Sequence, residues 1–227
     1  MAGYANDSLY VALIGDIRGS RELEDRDEVQ EEFHELVGYL NEHVPASSIA
    51  SPFTVTTGDE FQVLLMDATG AVRAAVSASD QFQPARLRFG IGRGELETEV
   101  NTERAIGMDG PCFHQAREAI NSASEDEAWL RVAGWSEGID QHVNMMFDLM
   151  QCVREDWTDR QAQFARALQE EGTQKRVAER YEVSKSTVSE SLSAGHVHEV
   201  RSAEASLATL LQDTMYGDGR PYGDDRP

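Results

Sequence analysis

The sequence predicts an α+β fold: a β-α-β-β-α-β unit with an extra helix and strand, followed by a smaller all-α unit. Three observations lead there. Short apolar runs with two-residue alternation recur through the first half of the chain. Between them lie segments whose apolar residues return every three or four positions, the helical period. Beyond about residue 139 only the helical period remains.

The first strand is the apolar run from Leu9, closing on Gly15-Asp16. A helix follows from about Asp25 to Glu42, with Val29, Phe33, Val37 and Leu40 on one face and acidic residues outside. Phe53 to Thr57 and Phe61 to Met66 flank Gly58-Asp59, which reads as a β-hairpin. Asp67 is placed to cap a helix from about Ala68 with Ala71, Val72, Ala75 and Val76 inward. Leu87, Phe89 and Ile91 alternate with Arg86, Arg88 and Gly90 in a fourth strand that ends near Gly92-Arg93-Gly94. Pro111 suits a helix first turn, with Phe113, Ala116, Ile120 and Ala123 inward, and a short strand spans about Ala128 to Ala133.

In that order of elements, which is ferredoxin-like, the first strand lies antiparallel to the third. Asp16 then neighbours Asp59 at one end of the sheet. Two carboxylates so placed are candidate ligands for a hard divalent ion, Mg²⁺ or Mn²⁺, with Glu60 as a third candidate. Turn chemistry alone also explains Gly-Asp, since Asp bonds its own backbone and Gly supplies positive φ. No Gly-Lys-Ser/Thr is present, so a P-loop is not indicated.

Four motifs, Gly15-Asp16-Ile17-Arg18-Gly19-Ser20, Thr57-Gly58-Asp59-Glu60-Phe61, Arg88-Phe89-Gly90-Ile91-Gly92-Arg93-Gly94 and Gly110-Pro111-Cys112-Phe113-His114-Gln115-Ala116-Arg117, stand in the order seen in palm-type nucleotidyl cyclases. With the C-terminal helices, the layout up to about residue 213 resembles the SatD family. The resemblance implies a cyclase-like palm domain with Asp16 and Asp59 at the metal-binding positions. Its candidate nucleotide-binding residues are Gly15, Ile17, Gly19, Ser20, Gly58 and Arg93. The sequence departs from class III cyclases at Val55, where a purine-selecting lysine would stand, and at His114 and Glu118, where an asparagine and an arginine would stand.

From Thr173 to Leu192 the chain reads as two short helices: Val177 and Ala178 face inward on the first, Val188 and Leu192 on the second, which Ser184 caps. The pattern resembles a helix-turn-helix, and a helix from about Thr158 to Glu170, with Phe164 and Leu168, completes a trihelical core. In such a unit the second helix enters the DNA major groove. Lys185, Ser186, Thr187 and Ser189 are then the base-facing candidates, with Gln174, Lys175 and Arg176 nearer the phosphates. The other reading is a small bundle for protein contacts.

The chain carries 20 Lys+Arg against 41 Asp+Glu over 227 residues, a net charge of -21. Residues 173–201 hold five basic and four acidic residues, so this stretch is +1 and the rest -22. Both lysines of the chain, Lys175 and Lys185, lie in it. Acidic residues spread through the whole chain, with hardly any lysine, suit a halophilic source, where the Debye length falls to about 3 Å; an ordinary solvated surface or cationic partners are the alternative readings.

These features divide the chain into a palm-like domain (1–138), a linking helix (139–155) with Val143, Met146, Met150 and Val153 at helical spacing, a helix-turn-helix domain (156–213) and a disordered tail (214–227). A homodimer through the linking helix, or through a helix near Ala203 to Leu211, is expected. Cys112 and Cys152 are expected to be reduced and buried, and His196 and His198 solvated. No apolar run is long enough to span a membrane, and no signal peptide is evident, so a cytoplasmic protein is expected. The function these readings give is a DNA-binding transcription regulator with a metal- and nucleotide-binding sensor domain. The alternative is an active metal-dependent nucleotidyl cyclase or related phosphoryl-transfer enzyme.

Overall fold

A computed structural model describes residues 8–216 apart from residue 24, and it is an α+β structure. β1 (Tyr10–Ile17), α1 (Arg26–His43), β2 (Ile49–Thr57), β3 (Glu60–Leu65), α2 (Ala68–Gln81), β4 (Leu87–Gly94), α3 (Pro111–Glu125) and β5 (Leu130–Ala133) follow one another as the periodicity predicts. The helical elements after them are α4 (Glu137–Glu155), α5 (Asp159–Glu171), α6 (Gln174–Arg180), α7 (Lys185–Ala194) and α8 (Val197–Asp213).

The strands form one sheet in the order β2-β3-β1-β4-β5, antiparallel except for the parallel β4–β5 pair. Alternation divides β1 between two cores. Tyr10, Ala12 and Ile14 pack with Leu64 against Cys112, Phe113, Ala116 and Ile120 of α3. On the other face Phe61 stacks within 5.8 Å of Phe33 on α1 and 6.4 Å of Phe89. Helix α3 approaches β4 so closely that a Cβ on Gly92 would lie 2.0 Å from the Ala116 nitrogen. Glycine at 90, 92 and 94 is therefore what seats α3 on the sheet.

The described chain divides into two compact units, one running to Met145 and resuming at Leu207, the other Met146–Ser206. In the first, the end of α8 is held by hydrogen bonds: Trp135 Nε1 donates to the Leu211 carbonyl at 2.8 Å and Arg93 Nε to the Met215 carbonyl at 2.6 Å. Met215 is fully buried. The packed chain thus extends beyond 213, where the sequence reading began a tail; the part of that tail from 217 on lies outside the described residues.

In the second unit Phe164, Ala165, Val177, Ala178, Val188, Leu192 and Val197 form one core. The starts of α5, α6 and α7 are capped by side chains, and at α7 the cap is Ser184, as its sequence predicts. Thr158 and Gln161 make a reciprocal capping box on α5, Thr173 accepts from Arg176 N, and Ser184 accepts from Thr187 N at 3.0 Å. Glu182, in the turn between α6 and α7, has φ +52°, a left-handed conformation usually left to glycine. Two expectations need correction. Cys152 is exposed, because α4 turns Val143, Phe147 and Met150 inward instead. The last helix starts at Val197, earlier than its apolar pattern suggested, because Val197 and Val200 are already buried. Among the described residues no helix is long and apolar enough to cross a membrane.

Candidate functional site

Strand register brings three charged residues into one row on the α3 face of the sheet. Asp16 sits directly opposite Glu60 on β3 and opposite Arg88 on β4. Arg88 grips Asp16 with two bonds, Nε to Oδ1 at 3.0 Å and Nη2 to Oδ2 at 2.6 Å, and its Nη1 reaches Ser124 Oγ on α3 at 2.6 Å. Arg117 of α3 grips Glu60 in the same bidentate way, at 2.6 and 2.8 Å. Thr56 adds a bond to Glu60 Oε1 at 3.0 Å.

Asp59 stands beside this row, its carbonyl accepting from Ile17 N at 3.0 Å. Its carboxylate accepts from Ser20 Oγ at 2.5 Å and from Thr57 Oγ1 at 3.3 Å. Gly19, at φ +66°, turns the chain so that Ser20 can reach it. The close carboxylates leave their mark on Asp16: burial raises its pKa above the ordinary value, Arg88 opposes this, and the charges of Glu60 and Asp59 add to the rise. For Glu60 burial also pushes upward, but the bonds and charge of Arg117, with Thr56, outweigh it and the net shift is downward.

The candidates from the two turns thus converge: Asp16, Ile17, Gly19, Ser20, Gly58, Asp59 and Glu60 all lie at one end of the sheet. Gly15 is there too, but it has a packing reason to be small, since a Cβ would lie 2.7 Å from Phe61 Cζ. Arg93 is not brought to this end. It pairs with Val11, five residues along β1 from Asp16, or about 17 Å at the usual strand rise. Its guanidinium donates to the Met215 and Gly134 carbonyls instead. The sequence reading missed Arg88 and Arg117 as partners of the acidic residues. Alternation in β4 was the available signal for Arg88.

Asp16, Asp59 and Glu60 offer only oxygen donors, the set that hard divalent ions take. Among the described residues no cluster of three or more His, Cys, Asp or Glu side chains is arranged to hold a metal. An ion such as Mg²⁺ takes one or two carboxylates and leaves its other positions to water or phosphate oxygens, whereas both Asp16 oxygens here accept from Arg88. Arg117 also borders an open groove of about 540 Å³ on the outer side of α3, lined with it by His114, Glu118, Asn121, Ser122 and Glu125. His114 is exposed and pairs with Asp109 at 2.7 Å.

In the helical unit Lys175, Arg176, Lys185, Ser186 and Ser189 are exposed, while Gln174 and Thr187 are partly covered. Gln174 Nε2 lies 3.3 Å from His198 Nε2. The Ser184 hydroxyl bonds those of Ser186 and Thr187 at 2.7 and 2.8 Å, so the start of α7 presents a hydroxyl cluster next to Lys185. Arg180 is engaged otherwise, with Glu170 and Glu171.

A family model described as the SatD family matches residues 10–209. No curated protein matches the chain. Among solved structures, the chain is similar to a bacterial light-regulated adenylyl cyclase at 10% identity and a TM-score of 0.42, over 56% of this chain and 43% of that one. The chain therefore spans less than half the length of that protein.

Proposed function

The chain belongs to the SatD family, and from that premise we propose that it is a DNA-binding transcription regulator whose α/β unit is a cyclase-like palm that senses a nucleotide-type ligand. The observation that carries this reading is the α6–α7 pair. Two short capped helices meet at a tight turn over a shared core, and the only two lysines of a chain with net charge -21 are exposed on them. Local charge there is close to neutral, so this stretch adds no repulsion of its own toward phosphate. As a helix-turn-helix, α7 would enter the major groove with Lys185, Ser186, Thr187 and Ser189, and α6 would meet phosphates with Gln174, Lys175 and Arg176.

For the α/β unit, Asp16 and Asp59 are the proposed holders of Mg²⁺ or Mn²⁺, with Glu60 beside them. Ile17, Gly19, Ser20 and Gly58 border the space where a phosphate chain would lie. A bound divalent ion would supply positive charge to phosphate oxygens. The chain's own groups orient it: Ser20 fixes the Asp59 carboxylate and Arg88 the Asp16 carboxylate. The molecule is proposed to act as a cytoplasmic homodimer in a salt-rich cell, with Met145 and Leu149, both more than half exposed on α4, as the side chains available for self-association.

The test is DNA affinity in molar KCl, with and without each nucleoside triphosphate and Mn²⁺, for the wild type and Asp59→Ala. A nucleotide-dependent change that Asp59→Ala abolishes supports the sensor reading. Turnover of the nucleotide would replace it by the enzyme reading, and affinity indifferent to all these changes removes the coupling.

A further inference from the structure

We propose that Asn41 and Asn144 guard the two edges of the sheet: each side chain stands in for a neighbouring strand and so keeps a second copy of this chain from adding its own strand there. The inference is independent of the DNA and nucleotide readings.

In the order β2-β3-β1-β4-β5, β2 and β5 are the edge strands. An edge strand carries backbone N–H and C=O groups that face no partner strand, and these are a template for strand addition. On each edge one residue is met by an asparagine from a helix, and the pairing is reciprocal. Phe53 N on β2 donates to Asn41 Oδ1 at 2.9 Å, and Asn41 Nδ2 donates to the Phe53 carbonyl at 2.9 Å. Val132 N on β5 donates to Asn144 Oδ1 at 2.8 Å, and Asn144 Nδ2 donates to the Val132 carbonyl at 3.0 Å. A side-chain amide offers a donor and an acceptor side by side, as a residue of a paired strand does. Asn41 lies on α1 and Asn144 on α4, so two different helices reach opposite edges with the same pair of bonds.

The composition of β2 shows why such a guard matters. Edges are commonly kept apart by charge, above all by lysine. β2, which reads IASPFTVTT, has no charged residue in its nine positions, although the chain as a whole is rich in them. Ile49, Phe53, Thr54, Val55, Thr56 and Thr57 are residues that favour strand pairing. Instead of charge the strand has Pro52, which has no N–H to offer a new strand, and its register with β3 shifts between Ser51 and Thr54. Asn41 covers Phe53, the very next residue after the proline. β5 is kept short, at four residues, and Asn144 takes Val132 within it. Hydrogen bonds of this kind act at contact range, whereas charge repulsion is screened beyond about 3 Å in molar salt.

Light scattering and thioflavin T fluorescence on the full chain, in dilute salt and in molar KCl, test this with Asn41→Ala, Asn144→Ala and Asn41→Lys. Each alanine variant is expected to self-associate about tenfold more tightly than the wild type, the equivalent of one net hydrogen bond across the opened edge, and to bind thioflavin T. Asn41→Lys loses the same two bonds but sets a charge over the edge. It is expected to keep the wild-type mass in dilute salt and to assemble in molar KCl, where that charge is screened. Assembly of Asn41→Ala and Asn41→Lys alike in dilute salt is what a folding defect gives, and it would overturn the proposal. Alanine variants that keep the wild-type mass in both salts would overturn it too. Amide hydrogen exchange on the wild type serves even where no variant folds: the Phe53 and Val132 amides are expected to exchange about tenfold or more slower than amides open to solvent. Exchange of both at the open rate would overturn the guard.

Discussion

Arg117 on α3 holds both carboxylate oxygens of Glu60 on β3, at 2.6 and 2.8 Å, and so pins a helix to the sheet at the end where the acidic residues meet. Because the Glu60 pKa is lowered on folding, its ionised form is favoured in the native state. The sign follows: this stabilisation is present above the ordinary glutamate value of about 4.5 and is lost as pH falls through the lowered folded value. Asp16, whose pKa is raised, works the other way: protonation favours the native state, so its contribution appears only at acid pH and is lost as pH rises through the raised value. Urea unfolding across acid pH should show Glu60→Gln less stable than wild type by about 1 kcal/mol near neutrality, allowing for the exposed arginine. The gap should close below pH 4.5.

Gly92→Ala should be among the most damaging single changes in the α/β unit. Its Cβ would fall 2.0 Å from the Ala116 nitrogen and 2.3 Å from the Cys112 carbonyl, both rigid backbone. Helix α3 must move away or the strand must bend, at a cost of about 3 kcal/mol or more. A large loss of thermal stability, or insoluble protein, is the expected outcome. Gly19→Ala, with nothing within 4 Å of the new Cβ but φ +66°, should cost only about 1 kcal/mol.

Glu182→Gly should make the protein more stable, against the usual direction of a glycine substitution. Glu182 has φ +52°, where a Cβ is strained and glycine is not. The relief is about 1 kcal/mol, less the entropy that glycine adds to the unfolded chain, for a net gain of about 0.5 kcal/mol in chemical unfolding of the helical unit.

Glu204 is a buried acid in the helical unit, 5% exposed, accepting from Arg154 at 2.8 Å and from Arg201 at 2.9 Å. Removing it leaves two guanidinium groups facing a poorly solvated space. Glu204→Ala should cost about 3 kcal/mol, and Glu204→Gln less, since the amide still accepts a bond. Circular dichroism during urea unfolding separates the two.

Element order was legible because helix and strand periods differ and because caps such as Asp67, Thr158 and Ser184 mark helix starts locally. The convergence of the Gly15–Ser20 turn with Gly58-Asp59-Glu60 was legible too, since the order of elements makes β1 and β3 neighbours. What the sequence did not reveal was non-local. The pairing of Asp16 with Arg88 depends on strand register, which is set by packing on both faces of the sheet. The reach of Arg117 to Glu60 depends on how deeply α3 settles onto the glycines of β4. Arg93 was a site candidate through the family resemblance, yet β4 carries it to the other end of the sheet, where backbone carbonyls claim it. Met215 looked like the start of a tail because its neighbours are polar and small, and only the folded chain gives its side chain a buried place.

The central claim is that the exposed face of α6 and α7 reads DNA, and selection of duplexes from a random-sequence library tests it most directly. Wild-type protein in both dilute salt and molar KCl should enrich a common sequence. Lys175→Gln should weaken binding about evenly across sequences, and Lys185→Gln and Ser186→Ala should relax the preference at particular positions. Folded wild-type protein that enriches no sequence in either salt, or enrichment that survives all three substitutions unchanged, would contradict it.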